Sequence, residues 1–458
     1  MADKHTTPPP AYFLSLSLEN VRSFGEKQTV SFARVDGRPA QWTIILGDNG
    51  VGKTTVLKGL AGLAYGVQKI EGLGNPAMMH RYARGIWRPD RKLGELPAYF
   101  NTVLGYGKLE GQMVSEADGS KIYNEVNVNV FPEKVLSPFS PGITSGNAKL
   151  PDVIDALVCY GYGAGRTTGN STLSEAPETV DTCASLFDDR ADLLNPEEWF
   201  LFADYRMAKD KDPLTTQNFH LIKTALLKIM EEGEVTDLDV APVQSGSGSP
   251  RQGVRFKTPY GWVRLRDMSL GYQTLVVWLT DLADKLFVRY PNSQNPLEEP
   301  AIVLIDEIDL HLHPSWQRKL LKSLSEIFKN TQFIATAHSP LVVQAAGDES
   351  ANVVLLKREG DQTIVYQGPD LPDVRHWRVE QIMSSELFDT PLLSPQTEAD
   401  LTRRNALLLK KRLTKAEKAE LANLEAAVAA QPAGNTRAEQ HADSLLARLS
   451  RNLNLDDL

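Results

Sequence analysis

The residues "GDNGVGKT", at positions 47–54, match the pattern G-x-x-x-x-G-K-[ST], a glycine-rich loop that ends in lysine and a hydroxyl residue. The apolar run "WTIIL" before them predicts a buried strand, and "TVLKGLAGLAYG" after them has apolar residues at helical spacing. Between a strand and a helix, such a loop points successive backbone N–H groups at one place, where the helix dipole is positive. A chance glycine turn would lack these flanking elements, so the pattern predicts a site for the phosphates of a nucleotide.

Individual side chains of this loop have separate expected tasks. Lys53 is expected to reach the β and γ phosphates of ATP, and the Thr54 hydroxyl is expected to ligate Mg²⁺. The residues that we expect to contact ATP in this part of the chain are Gly47, Asn49, Gly50, Gly52, Lys53, Thr54 and Thr55. The loop indicates nucleotide binding but does not say what the binding is for.

Two acids follow an apolar run in "IVLIDE", at positions 302–307. A buried parallel strand would bring Asp306 beside the phosphate loop, where its carboxylate can hold Mg²⁺ through water. Glu307 is then placed to polarise the attacking water as a general base. Strands often end in acids, so the motif alone is only moderately specific. Its position after a phosphate loop in the same chain favours the catalytic interpretation.

Three histidines lie near these acids in the sequence. His338, in "ATAHSP", follows a second buried run and is interpreted as a contact to the γ phosphate or the water, although a histidine there is more often structural. His311 and His313, in "HLHP", have no third ligand at a recognisable spacing. A metal site at these two histidines is therefore not favoured.

The segment "MSLGYQTL", at positions 268–275, precedes an amphipathic helix. Ser269 is a good helix N-cap, and a capped helix is the simplest interpretation. A serine hydroxyl and the Gly271 backbone at a helix N-terminus are also suited to an anionic phosphate. The order along the chain favours the phosphate contact over a simple capped helix, because the segment lies between the phosphate loop and the "IVLIDE" strand.

This order of motifs resembles the ATP-binding-cassette (ABC) ATPases of the SMC/RecF type. It is most similar to the compact AAA-type proteins of bacterial anti-phage defence systems, such as the PtuA ATPase of Septu and the ATPase halves of OLD-like and PARIS-like systems. The segments that carry the resemblance, besides the motifs above, are "LSLENVRSFGE", "CYGYGAGR", "DEIDLHLHPSWQRKLL" and "FIATAHSPLVV".

The resemblance implies a head-to-tail dimer or higher oligomer, with ATP held between the phosphate loop of one subunit and the turn at residues 269–271 of the other. ATP would act as a clamp that hydrolysis resets. Two residues depart from the family pattern: Leu270 stands where a second glycine is usual, and Tyr272 stands where glutamine or glutamate is usual. These departures concern the hydrolysis rate and the dimer geometry, and leave the location of the motif unchanged.

The fold class that we expect is α/β, a P-loop ABC-type ATPase core with a long insertion, or lid, between the P-loop helix and the signature motif, plus C-terminal helices. The expected domains are an N-terminal lobe of the core (1–65), an insertion of mixed strands and helices (66–253), a C-terminal lobe of the core (254–370) and a helical partner-docking region (371–458).

The bulk composition sets limits on function. The 458 residues are 42% hydrophobic and 23% charged, as in soluble globular proteins, and the net charge of −9 argues against non-specific coating of nucleic acid. Cys159 and Cys183 are interpreted as reduced thiols. No apolar run approaches the roughly 18 to 20 residues that span a bilayer. We therefore expect a cytoplasmic protein without a membrane segment.

Possible partners divide into nucleic acid and protein. The segment at residues 78–92, "MMHRYARGIWRPDRK", interleaves basic and aromatic residues and is compatible with DNA or RNA contact, although a solvated basic loop fits it at least as well. The chain shows no second catalytic centre, so any effector such as a nuclease is expected to be separately encoded.

Three functions compete on these observations. The favoured one is an ATPase that senses an invader or regulates a separate effector nuclease in anti-phage defence. The alternative is a RecF-like DNA-repair ATPase that binds DNA in an ATP-dependent manner. A transporter ATPase subunit is the third, and the long segment between Lys53 and Ser269 argues against it.

Overall fold

The structure, a computed structural model, describes residues 10–69, 98–106, 109, 123–130, 139–145, 156–166, 181–243, 251–390, 393–410 and 412–429. The chain divides into two compact units, residues 1–388 and residues 389–458. The strands in the described part are β1 (Ala11–Glu19), β2 (Gln28–Ser31), β3 (Trp42–Gly47), β4 (Ala98–Tyr106), β5 (Tyr123–Val130), β6 (Phe139–Ser145), β7 (Cys159–Tyr162), β8 (Asp237–Val243), β9 (Arg251–Thr258), β10 (Gly261–Arg264), β11 (Ala301–Ile305), β12 (Thr331–Thr336), β13 (Asn352–Glu359) and β14 (Gln362–Gln367).

The helices lie between some of these strands and after the last one. In the described residues they are α1 (Lys53–Lys69), α2 (Pro196–Asp210), α3 (Pro213–Met230), α4 (Leu270–Arg289), α5 (Pro314–Ile327), α6 (Pro340–Asp348), α7 (Val379–Ser384), α8 (Pro395–Leu408) and α9 (Lys415–Ala429). No helix of the described residues is long and apolar enough to cross a membrane.

A six-stranded sheet with the order β14-β13-β3-β12-β11-β7 forms the centre of the first unit. Its neighbouring strands are parallel except for the antiparallel β13–β14 hairpin. Because β3, β11 and β12 run in the same direction, their carboxyl ends meet at one edge of the sheet. That edge carries the phosphate loop after β3 and the acids after β11, so the α/β core predicted from the sequence is confirmed.

The central strands are almost wholly buried because both faces of the sheet are covered. Every residue of β11 and β12 is buried, as expected for parallel strands between two helical layers. Ile45 and Ile334 belong to the core cluster that includes the apolar residues of α1, while Ile44 and Phe333 belong to the cluster that includes those of α4 and α5. Successive strand residues therefore face opposite helical layers.

The segment between α1 and α4 contributes to three sheets. Strands β4, β5 and β6 join β1 and β2 in an antiparallel sheet with the order β2-β1-β4-β5-β6. Strand β7 enters the central sheet beside β11, and β8 pairs with the β9–β10 hairpin. Much of what the sequence marked as an insertion, residues 66–253, is thus built into the same sheets as the flanking lobes. Cys159 of β7 and Cys183 are free and buried.

The second unit is helical in its described part. Arg403 of α8 forms an ion pair with Glu420 of α9 (2.7 Å), and Lys410, just after α8, forms one with Glu417 of α9 (2.6 Å). Their exposed charges explain the high content of lysine and glutamate in this part of the sequence. The prediction of C-terminal helices is confirmed.

Candidate nucleotide site

The phosphate loop places Lys53 at the first position of α1 with its side chain folded back over the loop. Its Nζ donates hydrogen bonds to the carbonyl oxygens of Gly47 (2.6 Å) and Asp48 (2.9 Å). Burial lowers the pKa of the Lys53 ammonium, and the carboxylates of Asp306 and Glu307 oppose that shift. The loop therefore holds the Lys53 ammonium between backbone carbonyl oxygens at the N-terminus of α1.

Two glycines of the loop are required by close approach as well as by backbone conformation. Gly47 has φ +139°, and a Cβ there would lie 2.3 Å from the carbonyl oxygen of Leu356. Gly52 has φ +100°, and a Cβ there would lie 2.7 Å from the Ser23 hydroxyl. Larger residues would displace the neighbouring segments, so the loop packs tightly against both β13 and the turn after β1.

Asp306 is held by two threonine hydroxyls. Thr54 Oγ1 donates to Asp306 Oδ2 (2.8 Å), and Thr336 Oγ1 donates to Asp306 Oδ1 (2.6 Å). The carboxylate lies at the edge of the sheet and is only 7% exposed. Sequence reasoning identified Thr54 and Asp306 but missed Thr336, which ends the strand beside β11. Its place beside Asp306 follows from the register that pairs Ile305 with Ala335, which the sequence alone does not give.

Glu307 occupies a left-handed backbone conformation with φ +50°. This region costs a non-glycine residue free energy and is maintained only where the surroundings enforce it. Its N–H donates to Thr336 Oγ1 (2.7 Å), and its carbonyl oxygen accepts from Nη2 of Arg166. The half-buried Glu307 lines the same cavity as Lys53.

His338 follows β12 and reaches the site from the adjacent strand end. Its backbone N–H donates to Asp309 Oδ2 (2.9 Å), which ties the turn after β12 to the turn after β11. The residue is exposed and lines the cavity. The structure thus brings Lys53, Thr54, Asp306, Glu307 and His338 together at one cavity.

The cavity has a volume of about 590 Å³, and its far wall was not predicted. The residues that complete it are Arg22, Ser23, Arg358, Asp361, Gln362 and Thr363, along with the other loop residues Asn49 to Thr55. Thr363 fixes this wall: its N–H donates to the Ser23 carbonyl (2.8 Å) and its hydroxyl donates to the Val51 carbonyl (2.8 Å). Ser23 belongs to the segment "LSLENVRSFGE", which the sequence did not assign to the site.

The donor set fits a magnesium ion bound together with phosphates. Mg²⁺ prefers hard oxygen ligands and is usually held by one or two protein groups, with phosphate oxygens and water completing the shell. The Thr54 hydroxyl and the Asp306 carboxylate are adjacent oxygen donors of this kind. No group of three or more histidine, cysteine, aspartate or glutamate side chains forms a candidate metal cluster within the residues the structure describes.

Ser269 and Gly271 lie outside this cavity. Ser269 is the exposed N-cap of α4, and its hydroxyl makes no capping hydrogen bond. Gly271 is buried, and a Cβ there would lie 2.4 Å from the carbonyl oxygen of His311. The turn at residues 269–271 is therefore packed on the loop after β11, while Ser269 is exposed and does not line the cavity of its own chain.

The two residues that depart from the family pattern have different surroundings. Tyr272 packs edge-on against Trp316, with ring centroids 4.3 Å apart, so it anchors the start of α4 to α5. Leu270 is 55% exposed. Burial raises the pKa of the Tyr272 phenol. The tyrosine has a packing role, whereas the leucine presents an apolar side chain beside Ser269.

The remaining histidines have local contacts. His313 is the N-cap of α5, and its Nδ1 accepts from the Ser315 N–H (3.3 Å). His311 has φ +62° and lines a second cavity described below. The basic segment at residues 78–92, a candidate for DNA or RNA contact, lies outside the described residues.

Two protein families match parts of the chain. Residues 185–344 match a family described as "AAA domain, putative AbiEii toxin, Type IV TA system", and residues 15–95 match a family described as "AAA domain". The first segment contains Asp306, Glu307 and His338, and the second contains the phosphate loop. The two matches therefore cover the phosphate loop and the strand ends that carry the acids and His338, but not residues 358–363 of the far wall.

Three relatives are named here. A Septu protein PtuA from Bacillus mycoides (strain KBAB4) is 25% identical over 397 residues, which are 86% of this chain and 47% of that protein. The "Retron Ec83 probable ATPase" of Escherichia coli is 50% identical over 90 residues, 20% of this chain and 16% of that protein. A Septu protein PtuA from Bacillus thuringiensis is 30% identical over 132 residues, 28% of this chain and 32% of that protein. The chain spans about half the length of the first relative and less of the others.

Solved structures resemble the chain at low sequence identity. An SMC head bound to the C-winged helix domain of ScpA is 17% identical with a TM-score of 0.44, covering 78% of this chain and 97% of that one. The recombination mediator protein RecF is 11% identical with a TM-score of 0.40, covering 79% of this chain and 100% of that one. The fold assignment rests on the sheet topology given above.

Proposed function

We propose, from the premise that the chain is an ABC-type AAA ATPase similar to Septu protein PtuA, that it binds ATP with Mg²⁺ and hydrolyses it in an ATP-clamped dimer. That dimer regulates a separately encoded effector nuclease in bacterial anti-phage defence. The observation that carries the catalytic part is the position of Asp306, bonded to both Thr54 and Thr336 and followed directly by Glu307. Lys53 and His338 line the same cavity.

Nucleotide binding follows from the loop geometry. The backbone of residues 49–55 lines the cavity at the N-terminus of α1, so N–H groups and the helix dipole favour phosphate. The Lys53 ammonium donates hydrogen bonds to two carbonyl oxygens of the loop. When ATP is bound, it is the cation that reaches the β and γ phosphates. Thr54 and Asp306 hold Mg²⁺, which when bound neutralises the negative charge that accumulates on the phosphate oxygens.

Hydrolysis requires a base that faces the cavity. Glu307 is the half-buried carboxylate in that position, and its backbone is fixed on both sides, so it orients a water and accepts its proton. His338 approaches from the next strand end and contacts the γ phosphate or the water. Asp306 is already occupied by two hydroxyl donors, which favours a metal-holding role over that of a base.

The dimer part of the proposal rests on the signature turn. Ser269 has an exposed hydroxyl without a capping bond at the N-terminus of a 20-residue helix, outside its own nucleotide cavity. A phosphate bound to a second copy of this chain is the anion that this turn suits. Leu270, 55% exposed beside it, would be covered in such a dimer.

The regulatory part rests on the relatives named PtuA and retron ATPase, which belong to the class that the sequence resembles. Since the chain spans about half of the first relative, its effector and trigger are proposals of their own. A separate nuclease is the effector that this class implies.

Glu307→Gln tests the proposal. In the purified protein, ATP binding is expected to persist while phosphate release falls by about 100-fold or more, because the amide accepts no proton. Lys53→Ala is the matched control, which is expected to lose both ATP binding and phosphate release. Retained turnover in Glu307→Gln would reject the assignment of the base.

The same variant, tagged and expressed from its own genomic locus with its neighbouring genes, tests the partner. ATP-dependent co-purification of a nuclease encoded beside it supports the defence function. Purification without such a partner in every nucleotide state contradicts it. Co-purified DNA alone would instead indicate the RecF-like repair function.

A further inference from the structure

Arg166 is a buried arginine whose contacts are unusual. It lies in the turn after β7 and is 5% exposed. Its Nη2 donates to the carbonyl oxygen of Asp306 (2.8 Å) and also to that of Glu307, while its Nε is buried without a hydrogen-bond partner among the described residues. It forms no ion pair within that part of the chain. Burial lowers the pKa of its guanidinium to about 10.

The carboxylates of Asp306, Glu307 and Asp309 attract the buried guanidinium, but its direct hydrogen bonds go to two backbone carbonyl oxygens. Because a buried charge is costly to maintain without such bonds, these two carbonyls are the contacts that Arg166 holds in place. Both carbonyls belong to the turn that carries the candidate base. The same Glu307 carbonyl also accepts from the Leu310 N–H (3.1 Å), and the Asp306 N–H donates to the Tyr162 carbonyl (2.8 Å). The turn is thus bound from β7 on one side and from Thr336 on the other.

The strained backbone of Glu307 explains why such a clamp is needed. A residue at φ +50° relaxes toward negative φ when its neighbours release it, and its side chain then changes direction. The Thr336 hydroxyl restrains the Glu307 N–H, and Arg166 restrains its carbonyl. Loss of either restraint leaves the carboxylate less well aimed at the cavity.

Arg166 itself does not line the nucleotide cavity. It lines a separate cavity of about 440 Å³, bounded also by Gln273, Thr274 and His311 on the side of α4. We propose that Arg166 is a positioning residue that holds the Asp306–Glu307 turn through two backbone carbonyls, so that Glu307 keeps the conformation that directs its carboxylate into the nucleotide cavity. The catalytic consequence rests on the proposed ATPase function.

Hydrogen–deuterium exchange tests the proposal without requiring hydrolysis. Arg166→Met keeps the buried stem and removes the guanidinium. The amides of residues 307–310 are expected to exchange about tenfold faster in this variant, while those of β3 keep the wild-type rate. Arg255→Ala, which removes a distant ion pair to Asp239 (2.7 Å), is the control and should leave both segments unchanged. Unchanged exchange at residues 307–310, or equally faster exchange in β3, would overturn the proposal.

Steady-state kinetics distinguish a positioning role from a purely structural one, because only a positioning role lowers kcat while leaving the KM for ATP unchanged. For Arg166→Met, kcat is expected to fall by about 10- to 100-fold with the KM for ATP within about twofold of wild type. A parallel loss of kcat and ATP affinity, with a lowered Tm, would indicate a structural role instead. If the wild-type protein shows no hydrolysis at all, the proposed function fails, and the exchange experiment still decides the role of Arg166.

Chemical rescue completes the test. Arg166→Ala enlarges the adjoining cavity, which gives a guanidinium ion a place to bind beside the two carbonyls. Millimolar guanidinium is expected to restore kcat of Arg166→Ala about tenfold, whereas urea or sodium at the same concentration should not. Wild type and Arg255→Ala should show no such gain. Absence of rescue together with an undiminished kcat in Arg166→Met would contradict the proposal.

Discussion

Thr54 and Asp306 are 252 positions apart in the chain, yet Thr54 Oγ1 donates a 2.8 Å hydrogen bond to Asp306 Oδ2. The bond joins the end of the phosphate loop to the end of β11 across the carboxyl edge of the central sheet. The two groups proposed to hold Mg²⁺ are therefore adjacent, and the sheet register keeps them so.

Thr336→Val is expected to lower kcat by about 10- to 100-fold, because the hydroxyl bonds both the Asp306 carboxylate and the Glu307 N–H. The free energy of unfolding should fall by about 1–3 kcal/mol, since a buried carboxylate oxygen and an amide lose their partner. Phosphate release and urea denaturation measure the two effects.

Thr331→Val on the same strand is the control. Its buried hydroxyl has no hydrogen-bond partner among the described residues, so kcat should be unchanged and the free energy of unfolding equal or about 1 kcal/mol higher. Equal losses in the two variants would show that the position on the strand, and not the Thr336 bonds, decides the result.

Ser269→Arg is expected to leave ATP binding by the phosphate loop intact while preventing ATP-dependent dimerisation. Ser269 lies outside its own cavity, and an arginine there blocks the turn that would meet the nucleotide of a second copy. Light scattering of the Glu307→Gln background, with and without ATP, measures the mass.

Val288→Arg tests whether any bulky charge on α4 has this effect. Val288 is 74% exposed near the other end of the helix, so its variant should still dimerise. A dimer that forms normally in Ser269→Arg would exclude the trans contact.

The pH dependence of ATP affinity should show the titration of Lys53. Burial lowers the pKa of its ammonium below the ordinary 10.5. Affinity therefore falls as pH rises through the lowered value, because the neutral amine no longer attracts phosphate. At a pH between the lowered pKa and 10.5, Lys53 is protonated in the unfolded chain but neutral in the folded protein. Its contribution to the free energy of unfolding therefore rises with pH across that window.

A fluorescent ATP analogue with Glu307→Gln protein, titrated between about pH 7 and pH 10.5, measures this fall in affinity. Lys53→Arg retains its charge over the same range and should lack the step. A step of the same size in both variants would assign the titration to another group.

Local sequence patterns were sufficient to identify the candidate site residues that belong to continuous motifs. Lys53, Asp306 and His338 each follow or begin an element whose apolar pattern is strong, and parallel strands necessarily bring their ends together. The sheet and the nucleotide cavity could be predicted for that reason.

Other site residues depend on contacts that no local pattern carries. Thr336 becomes important only through the register of β12 on β11, and Arg166 only because β7 lies beside β11. The far wall arises where the β13–β14 hairpin meets the turn after β1, through the Thr363 bond to Ser23. A single sequence gives the composition of these segments but not their pairing.

The far wall of the cavity is made in part by residues that are synthesised long after the phosphate loop. Thr363 Oγ1 donates to the carbonyl oxygen of Val51 across 312 positions of the chain. The phosphate loop therefore gains the support of Thr363 only after 312 further residues have been translated. Until then, the nascent chain carries the phosphate loop without the hydrogen bond from Thr363.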